Sequence, residues 1–296
     1  MTNLYTMEGD IAYSDDADTD EQTVINLLTA KNKGEVVPKF PNLLLKNLVF
    51  TNKQLNIYAD EGSYDKDLLE SWHFYNCKFN DIEFNKVMLK NCKFTACEFN
   101  NFRGLLLAVK DCRFENCEFY QKQDEEGYFC LFSFSSFENT SFTNNTFLNI
   151  YNSHNKYILT EHQYNNHKGC KNTDNKYLIS KFQHNEHLVS SLTDNNYLDC
   201  SFLEDKYQNC DMQDNQYKDV KFNKNLIDNC KLKHSIFFKN KFSENRIVNC
   251  DLEGGFFCYT KFKNDDIKGD LAKARFIEST IPYYSTPEVK TEGLSM

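Results

Sequence analysis

Proline is missing from the whole stretch between Pro41 and Pro282; the four prolines of the 296-residue chain (Pro38, Pro41, Pro282, Pro287) all lie at or outside its ends. A residue without an N–H cannot donate to a strand ladder, so this absence permits unbroken pairing across the interior. No apolar run approaches the length of a membrane span, and no positive-then-apolar signal opens the chain. There is no Gly-rich phosphate loop, nucleophile elbow, paired-carboxylate cleft or CxxC site, so the sequence gives no support for nucleotide chemistry, acyl transfer or thiol redox work. Strong charge of one sign is also missing from the main body. Of the net −9, residues 1–70 hold 13 acidic against 6 basic side chains, while residues 130–270 hold 18 against 17.

What is present is a period. From Cys130 to Ile267 the chain holds 28 consecutive five-residue units. Each has a large, mostly apolar centre (Phe132, Phe137, Phe142, Phe147 and onward) and a small or amide residue two places earlier (Cys130, Ser135, Thr140, Asn145). Two inward residues at spacing two, then a corner, describe a very short strand. A period of twenty lies over the five. Phe182, Phe202, Phe222, Phe242 and Phe262 form one column, Tyr157, Tyr177, Tyr197 and Tyr217 another, and Leu192, Met212, Leu232 and Leu252 a third. Asn155, Asn175, Asn195 and Asn215 recur in the same way, as do Cys170, Cys210, Cys230 and Cys250. Four sides per turn with like stacked on like predict an all-β, square parallel β-solenoid.

The units Asn91-Cys92-Lys93-Phe94 and Ala96-Cys97-Glu98-Phe99, and the stretch Asp270-Leu271-Ala272-Lys273-Ala274-Arg275-Phe276, resemble the pentapeptide-repeat family. The resemblance covers most of the chain, with Asn, Cys and Ser favoured over Ala, and Phe and Tyr over Leu. It implies a right-handed quadrilateral β-helix. It does not imply one function, because unrelated partners use this scaffold.

Residues 1–42 read as an acidic mobile tail followed by a cap, with a short helix from Asp20 to about Lys33 carrying Val24, Leu27 and Leu28. Repeats are expected over 43–281, interrupted near 59–71 and 120–129, with 282–296 as a C-terminal tail. Leu45, Phe50 and Leu55 are the expected first centres. Gly104 leaves one centre empty, with Leu105 and Leu106 as candidates to fill it. Between Phe119 and Phe132 the spacing is thirteen where ten would keep register, so an acidic loop with Asp124, Glu125 and Glu126 should bulge out as a candidate partner contact. Near the end the register slips by one, making Leu271, Phe276 and Ile281 the centres.

Eleven of the twelve cysteines, all but Cys258, stand two before a centre, where a thiol acts as a small buried hydrophobe. Reduced thiols fit a cytoplasmic setting, bacterial or host. His162, His167 and His187 occupy centres. With no carboxylate or thiolate on their side, a polar interior is expected rather than a metal site, and no cofactor is expected. The inward asparagines should bond to one another along the column. Outward, Lys181, Lys221, Lys241 and Lys261 share a row broken by Ser201, and Asp174, Asp194 and Asp214 share another.

These features predict a non-catalytic scaffold that binds a protein partner. The resemblance adds two versions: a bacterial effector delivered to host cells, and a DNA-mimic topoisomerase-binding protein of the quinolone-resistance type. The near-neutral repeats weigh against DNA mimicry, and direct nucleic-acid binding is not expected. A polysaccharide-active β-solenoid enzyme is the rival from another class.

Overall fold

The computed structural model describes residues 1–6, 8–32, 43–51, 57–58, 69–85, 87–120, 130–133, 135–148, 150–269, 274–279 and 291–292. The acidic loop with Asp124, Glu125 and Glu126, the expected centres Leu55, Leu271 and Ile281, and most of both terminal boundaries fall outside these residues. The architecture is a parallel β-solenoid, nearly all strand, with one helix among the described residues. It divides into two compact units, Met1–Tyr151 and Asn152–Met296.

In the first unit, triplet strands pair in parallel one turn apart, Phe74 against Phe94 and Phe94 against Phe114. Phe79, Phe99 and Phe119 form the next face, and their rings stack at 4.8 and 4.7 Å. Pairing of Gly104 with Phe132 places the two on neighbouring rungs of one face. Phe132 is therefore the very next centre after Phe119, and the insertion between them is eight residues long (thirteen less five). Ile57 takes the register position against Phe84. The gap at Gly104 is filled by neither leucine proposed for it. Leu106 is 44% exposed, whereas Phe102 is buried and meets Phe84 edge-on at 5.0 Å and Phe99 at 5.4 Å.

The expected mobile tail is corrected. β1 (Thr2–Thr6) and β2 (Ile11–Asp15) form an antiparallel hairpin. β1 then pairs antiparallel with β3 (Leu43–Lys46), the first repeat strand of its face. Acidity alone signalled disorder, but these aspartates have local work. The Asp10 carbonyl accepts from the Thr6 N–H at 2.8 Å in the turn, beside Gly9 at φ 93°. The Asp15 carboxylate accepts from Ala17 N–H at 2.9 Å, Thr23 Oγ1 at 2.9 Å and Asn26 Nδ2 at 2.8 Å. The helix α1 (Asp20–Asn32) opens on a Thr19 hydroxyl that accepts from Gln22 N–H at 3.2 Å, with Asp20 and Glu21 in its first turn. It buries Val24 and Leu27, and Glu21 accepts from the Val49 N–H at 3.2 Å. Hairpin and helix thus cover backbone that an open solenoid end would leave unpaired.

In the second unit the columns read from sequence are physical stacks. Tyr157, Tyr177, Tyr197, Tyr217, Phe237, Phe257 and Phe276 pair rung by rung. Phe276 follows Phe257 at nineteen residues, which is the expected slip of one. Phe182 to Phe262 form the adjacent face. His167, His187, Tyr207, Ile227, Ile247 and Ile267 form the third. The fourth carries Asn172 and Leu192, and continues by single bridges from Ser191 through Asp211 and Lys231 to Asp251. Almost every corner turns on a residue with φ near +50°, mostly Asn or Asp. Ile179 at 52° and Val189 at 49° hold the same conformation with β-branched side chains.

Candidate functional site

Two kinds of site can be sought in such a body, interior and surface. The interior of the second unit carries the titratable groups. The rings of His167 and His187 stack at 4.4 Å, and His187 stacks on Tyr207 at 4.7 Å. His162 stacks on Phe182 at 4.9 Å. Burial holds all three imidazoles below their ordinary range and so neutral. Among the described residues no group of three or more His, Cys, Asp or Glu side chains is arranged to hold a metal.

The asparagine columns do more than pair amide with amide. The Oδ1 of Asn195 accepts from the Asn175 N–H one rung earlier at 3.1 Å, and its Nδ2 donates to the Asn172 carbonyl at 2.9 Å. Asn225 and Asn245 repeat this toward the Phe202 and Phe222 carbonyls. Direct amide–amide bonds are also present, as from Asn225 to Asn245 at 3.0 Å. Each inward amide therefore serves two buried corner groups of the backbone. Cysteine and serine do the same job at longer reach. Cys112 Sγ accepts from Cys92 N–H at 3.3 Å and donates to the Leu89 carbonyl at 3.5 Å. Ser190 serves Cys170 N–H and the His167 carbonyl. The described thiols are unbridged and buried, and burial pushes the Cys200 thiol up to about 12.

Two members of the amide column are not amides, Asp205 and Asp265, and Asp205 is the deeper. Asp205 is completely buried, and its Oδ1 accepts from Asn185 N–H at 2.7 Å and Asn185 Nδ2 at 3.0 Å. Its Oδ2 has no hydrogen-bond partner among the described residues. By the column's pattern, that oxygen occupies the place of the Nδ2 that would donate to the Phe182 carbonyl. Burial pushes the carboxyl up to about 7. The sequence reading passed over Asp205, because it collected identical residues and Asp205 interrupts the run of Asn145, Asn165, Asn185, Asn225 and Asn245.

On the surface, Lys181, Ser201, Lys221, Lys241 and Lys261 stand in register on successive rungs of the Phe182–Phe262 face, with all four lysines exposed. At three places in this unit a lysine meets a carboxylate one rung away: Lys206 and Glu186 at 2.7 Å, Lys233 and Glu253 at 2.8 Å, and, at the start of the row itself, Lys181 and Glu161 at 3.0 Å. Lys221, Lys241 and Lys261 have no carboxylate within ion-pair distance among the described residues. Three stacked like charges about 4.8 Å apart repel one another. The Asp174, Asp194 and Asp214 row lies at a corner, where Asp174 faces His154 at 3.7 Å. In the first unit an open concavity of about 340 Å³ between β1 and β3 has Asp20 and Lys46 as its charged lining.

No protein-family model matches the chain, and no curated protein matches it in sequence. Similar solved structures include PfbA, a surface adhesin of Streptococcus pneumoniae, at 11% identity over 90% of this chain and 85% of that one, TM-score 0.45. QnrB1, a plasmid-mediated fluoroquinolone resistance protein, is similar at 15% identity over 81% and 91%, TM-score 0.23. HetL, a pentapeptide repeat protein involved in heterocyst differentiation regulation from the cyanobacterium Nostoc, is similar at 8% identity over 83% and 94%, TM-score 0.22. The likeness is one of fold.

Proposed function

We propose that the protein is a non-catalytic interaction scaffold whose Lys221–Lys241–Lys261 row docks an acidic surface of a protein partner. The observation that carries this reading is the uncompensated stacking of like charge. A fold that elsewhere sets Lys against Glu one rung away could do so here, and instead holds three ammonium groups in line. Such a row costs stability in the free protein, and a complementary row of carboxylates relieves it on binding. A host protein with an acidic surface would meet this chemistry, whereas a topoisomerase, whose DNA-binding surface is basic, would require an acidic face instead.

The test is affinity capture with the full chain, compared with the Lys221→Glu, Lys241→Glu, Lys261→Glu triple variant. The expected result is a retained partner that is lost by the variant, and also lost by the wild type at about 1 M salt, where the screening length is about 3 Å. Retention of the same partners by the triple variant would overturn the reading. Polymer turnover abolished by Asp174→Asn, Asp194→Asn or Asp214→Asn would replace it with a carbohydrate-active enzyme. Inhibition of gyrase supercoiling that survives loss of the lysine row would replace it with DNA mimicry.

A further inference from the structure

The Tyr157–Phe276 face has an unusual outer side. On the other three faces of the second unit the residue following each centre is mostly polar, as in Gln163, Gln183, Asn223 and Ser243. Here the same position reads Ile158, Leu178, Leu198, Lys218, Phe238, Cys258 and Ile277 in continuous register. Beside that stripe, at the corners, Leu159, Ile179 and Tyr259 are 48%, 47% and 45% exposed. Ile179 additionally holds φ 52°, a conformation that costs a β-branched residue roughly 1 kcal/mol or more. A strained, solvent-facing isoleucine has no role in the free molecule's core.

The stripe is palindromic: three apolar residues stand on either side of Lys218. An interface between identical copies must be complementary to itself about a two-fold axis. We propose that this face is the dimer interface of the protein, with a second copy laid across it antiparallel. The axis lies along the strand direction through the Gln216–Lys218 rung. Ile158, Leu178 and Leu198 of one copy then cover Ile277, Cys258 and Phe238 of the other. The same operation sets Asp199 opposite Lys239 twice over, and Ile179 opposite Tyr259. It sets Lys218 opposite Lys218 and Asp219 opposite Asp219 at the axis, where each lysine faces the other copy's Asp219, and it brings Lys156 toward Arg275 at the two exposed ends, where solvent screens them. Lys239 already lies 5.3 Å from the Phe238 ring centroid, at the edge of the apolar patch.

Seven rungs at about 4.8 Å span roughly 30 Å. With a face about 10 Å wide, two copies bury on the order of 600 Å² in total, below the range of a stable specific interface and in that of a transient one. The dimer is therefore weak and reversible, and its population rises with protein concentration. This surface is separate from the lysine row, so either proposal can fail without the other.

The experiment is sedimentation equilibrium of the full chain at rising concentration. A monomer–dimer equilibrium is expected. Asp199→Lys, which sets like charges together twice, weakens it about tenfold or more, and Asp199→Lys with Lys239→Asp restores it. Lysine already occupies left-handed corners at Lys224 and Lys239, so the variant keeps its fold. Independently, Gln216→Cys at the axis is expected to give a covalent dimer with a short bis-maleimide in a yield well above that of the wild type, whose described thiols are buried. A chain that stays monomeric at every concentration would overturn the proposal and leave the stripe to a different partner. A dimer indifferent to Asp199→Lys, failure of the double exchange to restore it, or no cross-link at Gln216→Cys would each overturn it as well.

Discussion

The two units build one backbone around two different interiors. In Met1–Tyr151 the positions two before each centre are mainly apolar or thiol (Cys77, Ile82, Val87, Cys92, Cys97, Phe102, Leu107, Cys112, Cys117), and the centres are mostly phenylalanine. In Asn152–Met296 the same positions are mainly amide or hydroxyl (Asn155, Thr160, Asn165, Asn175, Ser180, Asn185, Ser190, Asn195), and the centres include His and Tyr. Both interiors work because the corner geometry asks for one thing, a side chain that reaches one backbone N–H and one carbonyl of the preceding rung. Amides do this with short bonds, thiols with long weak ones, and apolar residues leave the task to their neighbours. The polar interior gains directional bonding but hosts groups whose charge state matters. Among the described residues, the first unit's interior holds thiols but no buried carboxylate or imidazole.

The largest expected effect tests that liability. Asp205 has a carboxyl raised from 3.8 to about 7 by burial. A raised carboxyl is harmless below the unfolded value, where both states are protonated. Its cost grows as pH climbs from about 4 and is complete above 7. Asp205→Asn should therefore leave stability unchanged near pH 3.5 and raise it at pH 8 by on the order of 4 kcal/mol. Urea unfolding at the two pH values checks this, and an equal effect at both would mean the carboxyl does not titrate in that window.

Next comes the amide itself. Asn195→Leu removes the acceptor for Asn175 N–H and the donor to the Asn172 carbonyl, leaving two buried backbone groups unserved. At about 1–3 kcal/mol for each orphaned group, the loss should be on the order of 3 kcal/mol. A neutral result would show that the bonds only decorate packing that apolar contact already secures. The third effect has the opposite pH sign to the first. His187 is buried with its imidazole held well below 6.5, mainly by desolvation. A depressed histidine contributes nothing adverse above 6.5, and costs stability as pH falls and the unfolded chain takes up the proton. The cost grows as pH falls below 6.5, so His187→Phe should raise stability at pH 5 and change it little at pH 8, which urea unfolding at the two pH values checks.

How much of this was legible in the sequence follows from what period can reveal. The Phe182, Tyr157 and Leu192 columns were visible because repeated identity at twenty residues needs no geometry. The lysine row was visible for the same reason, although its lack of counter-ions was not, since that depends on which carboxylates the neighbouring rungs supply. Asp205 was hidden by the search for sameness, and so was Phe102, which fills the Gly104 gap from a position where a small residue was expected. The N-terminal hairpin was misread because five aspartates outweighed the alternation that buries Leu4. The outer stripe from Ile158 to Ile277 was missed because outward positions were followed only where they carry charge.

The smallest effect bears on why thiols and amides interchange. Cys112 accepts from Cys92 N–H and donates to the Leu89 and Lys110 carbonyls, at 3.5 and 3.2 Å. Serine presents an acceptor and a donor at the same branch point, with shorter and stronger bonds but less apolar volume. The two changes oppose one another: a better hydrogen bond is worth about 1 kcal/mol, and losing the larger sulfur in a packed interior costs a similar amount. Cys112→Ser should therefore move stability by less than about 1 kcal/mol. Cys112→Val keeps the volume but removes both bonding roles, and should cost about 1–3 kcal/mol through the unserved Cys92 N–H. Chemical denaturation of the two variants side by side separates the readings. If valine were tolerated as well as serine, the first unit's corners would rest on packing alone, and the shared bonding role of its thiols would be an accident of shape.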